Sequence, residues 1–484
     1  MRVFHKITHK QILIGILFLA IFTRFFRLGA PNDYVFDEVY HAFTAQEMVK
    51  RNNAAWEWWN SPPESFAYEW THPPMAKLIM GVGIKAFSWL PTTLERIPNP
   101  DGGEPLRFNE GVYPDPDVHR GKGDNPFGWR FPVAVFSVGI VFLMYQLGKE
   151  LFSQRVGLIA AFLATFDGLF FVMGRIGMND TFFLFFQLGA FLFFIRGIRV
   201  IRDFRVWDRK RDIYFVLTGI FLGLALASKW TAVYGIFFLG VVYCMSYLVF
   251  CIKNKKYKIQ SILYFFLQGT VVFFSFPILV YLASYIPFFN GHSWEKFLEL
   301  QQQMWWYHMG LSATHGYQSN ALSWPFMIRS VWCFVKYGKD SVSHIYALGN
   351  PVIWWSGIAA IIAATVISCR LSVVSFLKRK KHRLPITDYR LLMLLAAYFA
   401  FFIPWVFSPR IMFLYHYYPS LSFLILILAY FLDKIGNLGK QGKVVVGSYL
   451  VLVVVIFIYF YPILAAVFIP TWWENQYFWL PSWK

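Results

Sequence analysis

Phe36-Asp37-Glu38-Val39-Tyr40-His41 places two adjacent carboxylates a few residues after an apolar run. A carboxylate in that place suits general-base work on a hydroxyl. The same Asp37 suits the cap of a helix over 38–51, with Glu38 favoured in its first turn, so base and cap both stay open. A second cluster, Thr71-His72-Pro73-Pro74-Met75-Ala76-Lys77, starts a helix at its prolines. His72 at that amino terminus and Lys77 in the first turns suit a phosphate; a lysine snorkelling to the interface fits as well. In Gly128-Trp129-Arg130-Phe131-Pro132, Arg130 is either a bidentate phosphate ligand or a headgroup anchor beside Trp129.

Further charged groups sit where apolar runs end: Arg175 and Asp180, Lys229 before Trp230, and Arg410. Asp180 reads most simply as a helix cap, and His416, within Tyr415-His416-Tyr417-Tyr418, as a packed histidine. Trp305-Trp306-Tyr307-His308 and Ala313-Thr314-His315-Gly316-Tyr317 suit an interface belt, or a platform for sugar and peptide. Histidines spaced as His308 and His315 are do not match zinc ligands. No Walker loop, dinucleotide fingerprint, nucleophile elbow or Cys/His metal motif occurs.

The elements that must position these groups are apolar. The chain has 484 residues, 57% hydrophobic, 21% aromatic and only 15% charged. A soluble chain carries about 25% charge, so a soluble globular enzyme and a disordered chain are both excluded. Four cysteines give no disulfide framework. Eleven runs approach the roughly 20 residues that a spanning helix needs: 11–29, 130–147, 156–173, 181–195, 213–228, 231–252, 259–285, 346–369, 389–407, 411–432 and 444–469. The run 75–90 is short and carries Lys77 and Lys85.

Charge sorts the loops. With Arg2, Lys6 and Lys10 inside, the loops 148–155, 196–212, 253–258, 370–388 and 433–443 are cytoplasmic. Two of them hold dense basic clusters, Arg196–Arg211 and Lys378–Arg383. The net charge of +19 therefore reads as membrane topology, not as nucleic-acid binding. Were 75–90 to cross, those clusters would face outward, so it is expected to lie at the outer interface. The first run is expected to be an uncleaved anchor, because no small-residue cleavage site follows it. Two long segments, 30–129 and 286–345, then face outward, and 91–127 reads as an exposed loop rich in Pro, Gly and Asp. The polar clusters gather at that outer face. A transporter or flippase for a lipid-linked sugar calls instead for ionisable groups in mid-membrane.

In this order the clusters resemble the protein O-mannosyltransferases. The matching pieces are Phe36-Asp37-Glu38, His72-Pro73-Pro74-x-Ala76-Lys77, Asn125 to Arg130, Arg175 to Asp180, and Ser228-Lys229-Trp230. Trp306-Tyr307-His308, Ala313-Thr314-His315 and Phe413 to Tyr417 complete the set. The likeness covers nearly the whole chain.

The resemblance implies an all-α polytopic membrane protein of the glycosyltransferase C type. It would have about 11 transmembrane helices and outer-face interfacial helices, in one membrane-embedded domain over 1–484. It implies inverting transfer of mannose from a polyprenyl-phosphate carrier to Ser or Thr of secreted or membrane proteins. No metal, nucleotide sugar or other cofactor is implied. Carried onto this chain, Asp37 is the base and Glu38 helps place the acceptor. Arg130, His72, Lys77, Lys229 and Arg410 surround the donor phosphate. Asp180 and His416 support the site, and His308 and His315 approach the acceptor. Partners would be the lipid donor, protein acceptors, membrane lipids and the secretion machinery, with no nucleic acid. The expected place is a prokaryotic cell membrane, with the site on the extracytoplasmic side. Eukaryotic members insert a β-trefoil in the later outer segment; 286–345 is too short for one, which matches the shorter prokaryotic form, and 91–127 looks like an insertion relative to it. A related transferase acting on a glycolipid or wall polymer is the alternative.

Overall fold

The computed structural model describes residues 8–60, 67–90, 125–200, 208–254, 259–377 and 386–484. Most of the expected 91–127 loop, Arg2, Lys6, and the basic cluster Lys378–Arg383 lie outside these residues. The described chain is mostly helix, in the order α1 (His9–Phe25), α2 (Glu38–Val49), α3 (Met75–Ala86), α4 (Pro126–Leu151), α5 (Gln154–Thr165), α6 (Gly168–Met173), α7 (Asn179–Val200) and α8 (Arg209–Ser228). It continues with α9 (Ala232–Asn254), α10 (Ile259–Thr270), α11 (Phe276–Ser284), α12 (Trp294–Gly310), α13 (Pro351–Leu377), α14 (Ile386–Val406), α15 (Tyr418–Gly436) and α16 (Lys440–Leu464).

Among the described residues, nine helices are long and apolar enough to cross a membrane. They are α4, α7, α8, α9, α10 running on through a π turn into α11, α13, α14, α15 with the turn before it, and α16. The other two expected runs are helical but not continuous long spans. α1 has 17 residues. The run 156–173 is divided at Phe166-Asp167, because Asp167 turns its carboxylate to the backbone instead of to solvent. Its Oδ1 accepts the Phe170 N–H that begins α6. Its Oδ2 accepts from the Asn350 backbone and the Trp354 indole at the head of α13. A buried carboxylate needs such partners, and the price of meeting them is a break in the helix.

Alternate helix ends gather on two faces. On one, Arg175 after α6 donates to the carbonyls of Thr23, Arg24, Phe26 and Arg27 at the end of α1. These are carbonyls that a helix terminus leaves without intrahelical partners. On the other face Arg196 and Arg199 pair with Glu150, Arg390 donates to Leu151 O, and Arg155 reaches Asn437. Among the described residues, the latter face thus unites 148–155, the start of 196–212, the first turn of α14 and the turn at Asn437, which charge sorting assigns to one side.

α3 occupies the short run 75–90. Its 12 residues span only about 18 Å at 1.5 Å per residue, against a hydrocarbon core of about 30 Å. It packs between α2 and α4. A Cβ on Gly83 would come within 2.3 Å of Gly128 O, so only glycine permits that approach.

The segment 286–345 contains α12 and a hairpin, with no trefoil. β1 (Val331–Tyr337) and β2 (Ser341–Ala347) pair antiparallel, with Val335 opposite His344 and a bulge near Cys333. β3 (Ile469–Pro470) adds to the far side of β2. Both longer strands are rich in β-branched and aromatic residues, which favour a pleated, half-buried surface. The expected span beginning at 346 therefore starts later, at Pro351. The hairpin matters to the site because the Phe36 N–H donates to Cys333 O at 3.0 Å.

Candidate active site

The turn before α2 is held at several points. Phe36 adopts a φ of 52°, unusual for a side chain of its size. Its ring packs on Phe413 and Tyr415. Glu38 is fully buried and its carboxylate is saturated. Oε1 accepts from Arg130 Nε at 2.8 Å and the Gly177 N–H at 2.7 Å. Oε2 accepts from Arg130 Nη2 at 2.7 Å and the Val35 N–H at 2.8 Å. Gly177 must be glycine to come so near: a Cβ there would lie 2.8 Å from the Trp129 ring.

Arg130 is buried as well. Besides Glu38, it donates to the carbonyls of Leu28, Pro31 and Asp33. Every N–H direction of the guanidinium is thereby directed at protein. This corrects both sequence expectations for the pair: Arg130 has no donor left for a phosphate, and Glu38 no lone pair left for an acceptor. Together they clamp the turn that carries Asp37.

Asp37 is half-buried and heads α2, yet its side chain makes no capping bond. Among the described residues no hydrogen bond to its carboxylate occurs. Burial raises its pKa to about 6; Asp180 and Glu69 push the same way, while His41 and Lys229 oppose. Between the two readings left by the sequence, the geometry removes the cap.

The remaining expected residues fall around it. Lys229, at the end of α8, donates to Asp180 Oδ1 at 2.8 Å and lies over the Tyr415 ring. Asp180 is thus an ion-pair partner inside the first turn of α7. His416 packs against Trp405, Tyr415 and Trp324, with Nδ1 turned to the Phe413 backbone. That is the packed histidine its residue type suggests. His315 is half-exposed in the loop after α12, its Nδ1 accepting the Tyr317 N–H and its ring against Phe413.

His308 differs from expectation. Its Nε2 donates to Thr71 O at 2.8 Å, and its Nδ1 accepts from Arg410 Nη1. Both nitrogens are engaged, so it is not free to meet an acceptor. Burial, then Arg410, lowers its pKa to about 4, which keeps the ring neutral and Nδ1 an acceptor. Arg410 itself is half-buried, and its Nε is a buried donor with no partner.

His72 and Lys77 converge on a residue that motif reading passes over, Glu69. Lys77 Nζ meets Glu69 Oε2 at 2.6 Å and the His72 carbonyl at 2.9 Å. His72 Nδ1 meets Glu69 Oε1 at 2.8 Å, and His41 Nδ1 lies 3.5 Å from Oε2. Burial opposes the charge on Glu69, but Lys77, His72 and His41 outweigh it and hold its carboxyl well below the usual range. Burial also lowers the His72 pKa, to about 3. Lys77 is thus neutralised inside the protein and not open to a phosphate. The available signal for Glu69 was Lys77, a buried ammonium that needs a counter-ion. Among the described residues, no group of three or more His, Cys, Asp or Glu is placed to hold a metal ion.

The site therefore offers an unpaired carboxylate of raised pKa, a guanidinium with a free donor, and an ammonium shared with Asp180. Tyr307 lies within the field of Arg410, Glu69 and Asp37 together. That set can accept a proton at one point and stabilise an anion at another.

Two family models cover most of the chain. Residues 113–295 match "Dolichyl-phosphate-mannose-protein mannosyltransferase", and 293–483 match "C-terminal four TMM region of protein-O-mannosyltransferase". The polyprenol-phosphate-mannose–protein mannosyltransferase of Mycolicibacterium smegmatis is 26% identical, covering 96% of this chain and 91% of that protein. The fold is similar to the Saccharomyces cerevisiae protein O-mannosyltransferase Pmt1-Pmt2 complex bound to its sugar donor. The TM-score there is 0.78 at 16% identity, over all of this chain and 93% of that one. ArnT from Cupriavidus metallidurans, bound to undecaprenyl phosphate, matches with a TM-score of 0.53 at 13% identity, over 90% of this chain and 62% of that one.

Proposed function

The chain belongs to the protein O-mannosyltransferase family, and from that premise we propose that it transfers mannose from a polyprenyl-phosphate carrier to Ser and Thr hydroxyls of proteins, with inversion, at the outer membrane face. The observation that carries the chemistry is Asp37, a half-buried carboxylate with no hydrogen-bond partner among the described residues and a pKa raised to about 6. Such a group is ionised near neutral pH and still basic enough to take a hydroxyl proton. As the proton moves to Asp37, the acceptor oxygen bonds the anomeric carbon and the carbon–phosphate oxygen bond breaks. One displacement inverts the carbon and needs no enzyme nucleophile. Arg410, with Lys229 beside Asp180, meets the charge left on the departing polyprenyl phosphate. Such stabilisation is worth roughly several kcal/mol. The lipid tail holds that phosphate at the membrane surface, where this cluster lies. His315 stays a candidate for contact with the acceptor. Acceptors are secreted or membrane proteins, met as they leave the secretion machinery.

The test gives purified protein several lipid-phosphate sugars with peptide and glycan acceptors and identifies products by mass spectrometry. Mannosylated Ser/Thr peptides, with the anomeric configuration opposite to the donor's, are expected. Transfer only to a glycan or glycolipid would overturn the acceptor assignment.

Sidedness has its own test. Charge sorting supports an outer site, because Arg155, Arg196, Arg199 and Arg390 gather on the opposite face. In a chain with the four native cysteines replaced, Gly316→Cys in the loop after α12 should react with an impermeant thiol reagent on intact cells. Leu438→Cys between α15 and α16 should not. The reverse labelling would invert the topology.

A further inference from the structure

We propose that Glu69 is a positioning residue for the donor-phosphate site, acting on Arg410 through Thr71 and His308. The proposal rests on the reading of Arg410 as a phosphate ligand. Glu69 begins a chain of contacts that reaches Arg410 without a gap. Its Oε1 accepts from the Thr71 hydroxyl as well as from His72. The Thr71 carbonyl accepts the His308 Nε2–H. A histidine that donates from Nε2 and stays neutral presents a lone pair at Nδ1, and Arg410 Nη1 donates into it. The Nε of the same guanidinium is left without a partner. The ring of His308 is held in this orientation by Trp230 and by the edge of His72, centroids 5.7 and 5.2 Å away. His72 is itself bonded to Glu69, so the carboxylate governs the histidine by two routes.

Glu69 is anchored well enough to act as the fixed end. Its backbone N–H donates to the buried Thr44 hydroxyl of α2 at 2.7 Å, and Lys77 holds Oε2 from α3. Stapling this segment to α3 uses Oε2 and the backbone. Oε1, turned toward Thr71 and His72, is the part that organises Arg410. A carboxylate accepts at both oxygens, and an amide accepts at only one. Glu69→Gln must therefore present an NH2 group either to Lys77 or to the Thr71–His72 pair. Thr71→Val keeps the shape and removes only the hydroxyl link.

The test measures binding of a short-chain polyprenyl phosphate to the purified full-length protein by calorimetry, with size-exclusion profiles as the check on folding. Arg410→Ala is expected to weaken binding roughly ten- to hundredfold, as for loss of a hydrogen bond to a charged group. Glu69→Gln and Thr71→Val should each weaken it roughly three- to tenfold. The deciding readout is the double variant. If Glu69 acts through Arg410, adding Glu69→Gln or Thr71→Val to Arg410→Ala should cost less than about twofold more. A staple of the loop alone predicts penalties that multiply, and that outcome overturns the proposal. So does wild-type binding by both Glu69→Gln and Thr71→Val. Wild-type binding by Arg410→Ala overturns the phosphate reading itself, a result distinct from the other two. Should Glu69→Gln fail to fold, Thr71→Val alone and combined with Arg410→Ala decides the matter.

Discussion

Asp37→Asn is expected to slow mannose transfer by about 10²–10⁴-fold, while the protein extracts, folds and binds polyprenyl phosphate as the wild type does. The substitution keeps the size of the side chain and abolishes its basicity. It costs α2 nothing as a cap, because Asp37 makes no side-chain capping bond. Folding should also tolerate it, since no hydrogen bond to the carboxylate is lost. The pH profile gives an independent readout. A base must be unprotonated to act, so the rate should rise with pH through about 6 and level off above it. Burial is the main cause of that raised value, with Asp180 and Glu69 adding to it. Lys229→Met removes an opposing positive charge, so the limb should move to higher pH. A near-normal rate for Asp37→Asn would assign the proton to another group, and Asp180 would be the next to test.

Much of this was legible in the chain because burial in lipid constrains composition. A run such as 213–228 has no plausible place outside a membrane, and α8 occupies it. Asp37 was legible as chemistry because it follows an apolar run closely and so remains near an interface. Its rival role as a cap was not decidable, because capping depends on where one side chain points. Asp167 was invisible for a related reason. A lone acid inside an apolar run looks like a blemish until Asn350 and Trp354 arrive from more than 180 residues away. The hairpin over 331–347 was missed because its strands are only seven residues each, and periodicity in so short a run does not separate strand from helix. Arg130 shows the limit most clearly. An arginine at a helix start beside a lipid-phosphate site looks like a phosphate ligand, and only the fold discloses the carbonyls of Leu28, Pro31 and Asp33 and the carboxylate of Glu38 that occupy it.

That occupancy yields the second large expected effect. Arg130→Met should lower the thermal stability of the purified protein by about 3–5 kcal/mol, the usual cost of leaving one partner of a buried ion pair uncompensated. Glu38 is the partner left behind, fully buried with only the Val35 and Gly177 N–H groups. Adding Glu38→Gln removes the orphaned charge and should restore part of the stability. Transfer should not return with it, because the turn bearing Asp37 has lost its clamp. A displacement of about 1 Å in a reacting group can cost about a hundredfold. Thermal unfolding and single-turnover transfer, measured on the same preparations, separate the two quantities. If Arg130 served the donor phosphate instead, Arg130→Met would weaken polyprenyl-phosphate binding at unchanged stability, and Glu38→Gln would rescue nothing. Recovery of folding without recovery of transfer identifies the pair as the support that sets where the base stands.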